Sequence, residues 1–255
     1  TRSSRDLDAE NGTADSFTIQ LNADGTPAGY GDGEHWYYSA DSGCWLYNGV
    51  FALHPSSEAE AESALQAKLY ISKDAEFNSG TVGGKTSNNG IISNGNFQWN
   101  VYNYKDISGG TFQGGSYNFR GTISNGTFQG ILRNDSGTIS GGTFENTVEV
   151  SAASGTDATI EGGTFEKRVT LKRSDTPITI SNGLFNGEVV AEECYAPLSI
   201  TGGLFTQAVN VSDTDPSKLS ITGGYFVSEP IVPEGSVSFT SVSDQSCRAF
   251  HVPVN

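Results

Sequence analysis

The side chains best placed to do chemistry are aromatic. Trp99, Tyr102 and Tyr104 are followed by Tyr117 and Phe119, and the pairs Tyr102/Tyr117 and Tyr104/Phe119 are each fifteen positions apart. Rings repeated at that spacing can do one of two things. They can fill a narrow interior, or they can face outward as a ladder on which sugar rings stack while Asn100, Asn103 and Asn118 supply hydrogen bonds. The interior is the first expectation, since large apolar rings belong in cores; the binding surface is the second. Trp36, Tyr37, Trp45 and Tyr47 pose the same choice.

Other chemistry is sparse. An enzyme acting on sugar polymers gathers several carboxylates with an Arg, Lys or His, to hold Ca²⁺, abstract a proton or protonate a glycosidic oxygen. Glu145, Glu149, Glu161 and Glu166 instead sit singly beside Lys167 and Arg168, as on a solvated charged face. Glu188, Glu192 and Glu193 are the densest acidic group, read as surface charge ahead of a weak cation site. His35, His54 and His251 lack the spacing of a metal site or a triad. Asp24-Gly25 and Asp32-Gly33 read as plain turns. No metal and no cofactor are expected. Of Cys44, Cys194 and Cys247 at least one must be unpaired; three buried thiols are preferred over a Cys194–Cys247 bridge made by a tail folding back.

The chain that carries these groups has 255 residues, with 14 basic and 29 acidic side chains and a formal charge of −15. That balance argues against nucleic acid or anionic membrane as partners. Only 17% of residues are charged and 32 are glycine, nearly twice ordinary glycine usage. No run of 18 apolar residues occurs, so no membrane insertion is expected. The first residue is Thr1 and no Met is present, which reads as a trimmed fragment with any signal or anchor outside it.

A hexapeptide, Ile-x-[Gly/Asn]-Gly-x-Phe, occurs eight times. Its first position is Ile92, Ile107, Ile123, Ile139, Ile160, Ile180, Ile200 and Ile221, and its sixth is Phe97, Phe112, Phe128, Phe144, Phe165, Phe185, Phe205 and Phe226. Successive Phe residues are 15 to 21 positions apart, the period of one coil of a β-solenoid. Ile and Phe are expected to point inward as two columns, with coils about 4.8 Å apart. The third position, Asn94, Gly109, Asn125, Gly141, Gly162, Asn182, Gly202 and Gly223, holds only residues that tolerate positive φ, so a left-handed backbone is expected there. The fourth, Gly95, Gly110, Gly126, Gly142, Gly163, Gly183, Gly203 and Gly224, reads as a structural turn too crowded for a Cβ. A threonine column, Thr111, Thr127, Thr143 and Thr164, is short and single-file and reads as turn packing rather than a water-ordering array.

These spacings predict an all-β chain, a right-handed parallel β-helix with coils of 15–21 residues, the hand following the crossover preference of parallel strands. Residues 1–29 read as a strand or linker and 30–90 as an N-terminal cap with the first coils. A capping helix is expected near 57–69, with Ser57 as its N-cap and Ala61, Ala64, Leu65 and Leu69 on one face. The repeats fill 91–226, and 227–255 close the end, because an open solenoid would present a bare strand edge.

The repeats resemble those of secreted or surface-attached proteins of Gram-positive gut bacteria that carry Ile-Ser/Thr-Gly-Gly-Thr-Phe arrays. The segment with Trp36-Tyr37-Tyr38, Asp41-Ser42-Gly43 and Leu46-Tyr47-Asn48-Gly49-Val50-Phe51 is similar to the opening of such proteins. The resemblance covers roughly residues 30 to 255 and implies an extracellular or cell-surface setting without implying a reaction. The expected role is a non-enzymatic binding or adhesion module, with host or bacterial glycans or surface proteins as partners. A β-helix polysaccharide lyase or glycoside hydrolase is the first alternative, and a passive stalk or phage tail component the second.

Overall fold

The computed structural model describes residues 69–236, except 72, 74, 153, 154 and 173, together with the strands Trp36–Ser39, Cys44–Tyr47, Val50–Ala52, Thr240–Asp244 and Cys247–His251. It is a parallel β-solenoid of about nine turns whose coils average about 17 residues. No helix occurs among the described residues. The expected helix over 57–69 lies outside them apart from Leu69, which opens a strand. The 1–29 segment, His35 and His54 also lie outside them.

Each coil visits three parallel sheets in turn. One runs from Leu69–Ile71 through Thr86–Asn88, Val101–Asn103, Ser116–Phe119, Leu132–Asp135, Val148–Ser151, Val169–Lys172 and Val189–Glu192 to Val209–Asn210, and is called the asparagine sheet below. The second carries the Ile column from Ile92 to Ile221, and the third carries the Phe column. Both columns are buried to 2% exposure or less. The eight Phe rings stack at centroid spacings of 4.5 to 5.1 Å with nearly parallel planes. Coil spacing and ring thickness are close enough for one Phe per coil to leave no gap, and burying each ring contributes on the order of 2–3 kcal/mol.

A ninth corner precedes the eight visible in the sequence. In Phe77-Asn78-Ser79-Gly80-Thr81-Val82 the two large residues change places, Phe77 pairing with Ile92 and Val82 with Phe97. Gly80 has φ 115°, like the glycines above it.

The fourth-position glycines are crowded as expected, a Cβ on Gly95 lying 2.5 Å from the Phe77 ring and on Gly183 or Gly224 3.0 Å from the ring of the same repeat, but the left-handed backbone is not where it was expected. Positive φ, from 102° to 130°, falls on the fourth position, Gly95 through Gly224, and not on the third. In the five copies that have Gly at the third position a Cβ has no room: built on Gly109, Gly141, Gly162, Gly202 or Gly223, it would lie 2.1 to 2.4 Å from the carbonyl oxygen of the second-position residue one coil below. Where Asn occupies that position, the Oδ1 of Asn94, Asn125 and Asn182 accepts the N–H of the following glycine at 2.8 to 2.9 Å. Asparagine is therefore there for its side-chain bond, not for a left-handed backbone.

The C-terminal end is covered by chain that leaves the repeat. Ile231 bridges to Asn210 and exchanges backbone bonds with Val209 and Val211. The antiparallel strands Thr240–Asp244 and Cys247–His251 extend the Phe sheet through Phe226 and Phe250.

Candidate binding face

Period-2 alternation along the asparagine sheet decides which side chains reach solvent. In Val101–Asn103 the buried residues are Val101 and Asn103, so Tyr102 points out. In Ser116–Phe119, Ser116 and Asn118 are buried, so Tyr117 and Phe119 point out. The aromatic residues thus face outward, against the first expectation. The asparagines take the interior, and this too corrects the expectation that Asn103 and Asn118 offer hydrogen bonds to a ligand.

The reason is an amide ladder. Asn88, Asn103, Asn118 and Asn134 are at most 1% exposed and lie one per coil. Each Nδ2 donates to the Oδ1 of the next, at 2.6, 2.7 and 2.6 Å. The second proton of each goes to a backbone carbonyl, of Asp106, Lys105 and Gly121, and Asn134 Nδ2 donates to the carbonyl of Gly137. Asn88 Oδ1 accepts the N–H of Gly90. Buried amides cost little when every donor and acceptor is met, and this arrangement exists only when the amides are stacked in register. Gly121 and Gly137 make room, since a Cβ on either would sit 2.2 to 2.6 Å from ladder amides.

Outside the ladder the rings are not equivalent. Tyr102 and Tyr117 stack at 4.7 Å and 5°. Lys85 Nζ lies 4.3 Å from the Tyr102 ring centre, and the Arg133 guanidinium 5.4 Å from that of Tyr117, whose hydroxyl it bonds at 3.2 Å. One ring face of each tyrosine is therefore covered by the other tyrosine and the second by a cation. Tyr104 stacks on Phe119 at 5.4 Å and is 47% exposed. Trp99 differs from all of these. It lies at the corner between the Phe sheet and the asparagine sheet, is 60% exposed, and has no ring partner among the described residues. Registers on both sides set Gly84 and Gly114 opposite it on the adjoining coils. Neither residue opposite it carries a side chain. Exposed Gln98, Gln113 and Gln129 run in a row beside this corner. Asn100, expected to serve a ligand, instead fixes the corner, its Oδ1 accepting the Gly115 N–H at 3.1 Å.

The charged groups form bridges between coils. Glu149 receives Arg133 at 2.9 Å and Lys172 at 2.8 Å. Partial burial would raise its carboxyl pKa, but the hydrogen bonds from Lys172 and Arg133 outweigh that and hold it below the ordinary value. In the acidic group, Glu192 pairs with Arg168 at 3.2 Å and the Glu193 N–H donates to Asp213 Oδ2. Among the described residues no three His, Cys, Asp or Glu side chains gather to hold a metal. Cys194 is a buried free thiol, pushed up to about 11 by desolvation with the Asp213 charge adding to it. The side chains of Trp36, Tyr37, Trp45, Tyr47, Cys44, Cys247 and His251 lie outside the described residues.

Compared with protein-family models, curated proteins and solved structures, the chain finds no match. Of the family resemblance, the solenoid itself is what stands.

Proposed function

We propose that the chain is a non-enzymatic, extracellular binding or adhesion module of a bacterial surface protein, and that it holds a glycan against the corner bearing Trp99. One observation carries this reading: an indole 60% exposed, with glycines opposite it on both adjoining coils. A sugar ring can reach it without displacing a side chain. The glutamine row beside it offers amides to sugar hydroxyls, and the strands that flank the corner, with the backbone bond from each glutamine N–H to the coil below, hold these groups in place, so little ordering cost attends binding. Tyr102 and Tyr117 contribute edges and hydroxyls only, because their faces are taken.

Glycan-array and mucin binding test the reading. Trp99→Ala should weaken binding about tenfold or more, as expected when a stacking ring is lost, and Tyr102→Ala should weaken it less. Equal binding by wild type and Trp99→Ala removes the reading. A stiff spacer is the second reading, favoured by the unbroken Phe stack; a wild-type chain that binds no glycan is its mark.

A further inference from the structure

The chain carries twice as many acidic as basic groups, yet the coils bearing the aromatic face reverse that balance. From Lys85 to Asp135 the charged residues are Lys85, Lys105, Arg120 and Arg133 against two carboxylates, Asp106 and Asp135. The remaining 27 acidic groups are set against ten basic ones elsewhere. Asp106 lies in the Ile sheet, between Ile91 and Thr122, on a different side of the coil, and Asp135 registers with Phe119 at the corner of Arg120, whose N–H donates to its carbonyl. The aromatic side of these coils therefore presents cations from both of its edges. Lys85 comes from the Trp99 corner, where it registers with Asn100, the residue after the indole. Lys105 and Arg120 follow Tyr104 and Phe119 at the opposite corner.

These cations differ in how far they are already neutralised. Arg133 is held by Glu149. Lys85 and Lys105 are exposed and have no carboxylate partner among the described residues: Lys85 rests on the Tyr102 ring, and Lys105 donates to the Lys73 carbonyl at 3.3 Å. Elsewhere on the solenoid Lys172, Arg168 and Lys218 are each engaged by an acidic side chain, while Lys167 is exposed without a carboxylate partner among the described residues. A cation lying on a ring keeps its charge available to an incoming anion while its stem is held in place. In a protein of net charge −15, such an island attracts anions locally, while the rest of the surface repels those that do not fit it.

Resting on the glycan reading above, we infer that the ligand is an anionic polysaccharide. Its rings lie at Trp99 and its carboxylate or sulfate groups meet Lys85 on one edge and Lys105 on the other. The polymer lies on the aromatic side between these two edges. Charge sets the class of ligand, and the indole and the glutamines set its register.

Binding of the full chain to polygalacturonate, to the same polymer after carboxyl reduction, to heparin and to an oligo-dT strand separates the possibilities. Polygalacturonate or heparin should bind and the reduced polymer should not. A Lys85→Gln/Lys105→Gln double variant should bind about tenfold more weakly. Lys85→Arg/Lys105→Arg should retain binding, and added salt should weaken the wild type but hardly change the Gln variant. Circular dichroism checks that each variant is folded. If the reduced polymer binds as tightly as its parent, and Trp99→Ala weakens binding while the Gln variant does not, the inference falls and the glycan reading survives. If no glycan binds, both fall. Binding of oligo-dT in place of the polysaccharides also overturns the inference, since planar bases and phosphate would then explain the same rings and cations.

Discussion

Between Asn88 and Asn134 one inward column of the solenoid is made of amides; from Val150 through Leu171 to Ala191 the same column is aliphatic. The change coincides with a change in coil size. Four or five positions separate each asparagine from the next residue of the Ile column, whereas nine or ten separate Val150, Leu171 and Ala191 from Ile160, Ile180 and Ile200. The two facts have one cause. In the tight coils the amide supplies hydrogen bonds to the carbonyls of the turn, so the chain can change direction in very few residues. Where a fifth residue is present it is Arg120 or Ser136, in the left-handed region at φ 61° and 57°. In the wide coils no amide column does that work. Short hydroxyl side chains serve the longer loops one at a time, within a loop where buried Ser174 donates to the Lys172 carbonyl and Thr214 to that of Val211, and across coils through Ser174 and Thr176 on Ala152. The added length also places a second apolar residue on each Ile strand, as in Ala158/Ile160 and Ile178/Ile180, which fills the wider lumen. A polar ladder thus makes a narrow tube and an aliphatic one requires a broad tube.

The comparison breaks most sharply at the middle of the ladder. Asn118→Val should cost about 3–5 kcal/mol in chemical denaturation, because it strands the amide of Asn103, the Oδ1 of Asn134 and the carbonyl of Gly121 in a dry interior. Val150→Asn, which offers an acceptor to Asn134, should cost clearly less. Equal costs would mean that the ladder does not close the tight corners. The glycine corner, shared by both regions, should ignore the difference: Gly141→Ala among the tight coils and Gly202→Ala among the wide ones should each cost about 2–3 kcal/mol, since each new Cβ meets a carbonyl oxygen at about the same distance, 2.2 and 2.1 Å.

Smaller effects sharpen the contrast. Cys194 belongs to the wide region, and its raised pKa means the folded state holds the thiol protonated. Its stabilisation is complete below its ordinary value of 9.0 and is lost as pH rises towards about 11, on the order of 2–3 kcal/mol. Iodoacetamide should label it at neutral pH only as the chain unfolds; prompt labelling would show that the wide-coil loops open locally. Glu149 joins the regions, taking Arg133 from a tight coil and Lys172 from a wide one. Its depressed pKa makes that contribution present above the ordinary value of 4.5 and lost as pH falls through the lower folded value. Glu149→Gln should cost less than about 1 kcal/mol at neutral pH and nothing in strong acid, a difference that paired melting curves would register.

Much of this architecture was legible residue by residue. The Ile and Phe columns and the constant fourth-position glycine appear in every repeat, because each coil meets the same steric demand by itself. The corner at Phe77 was hidden, since exchanging a large residue with its partner preserves the core while erasing the motif. The ladder left a trace, asparagines recurring at intervals of 15, 15 and 16. That trace was outweighed by the ordinary rule that tyrosine goes inside and asparagine outside.

What the sequence determined by itself is that the chain winds, where it bends, and which two apolar columns fill it, since those follow from local sterics and hydrophobic burial repeated coil after coil. The tertiary structure alone decided that the amides turn in and the aromatic rings turn out. The bonds that reverse the hydrophobic preference join residues about one coil apart, and they do not exist until neighbouring coils have settled into register.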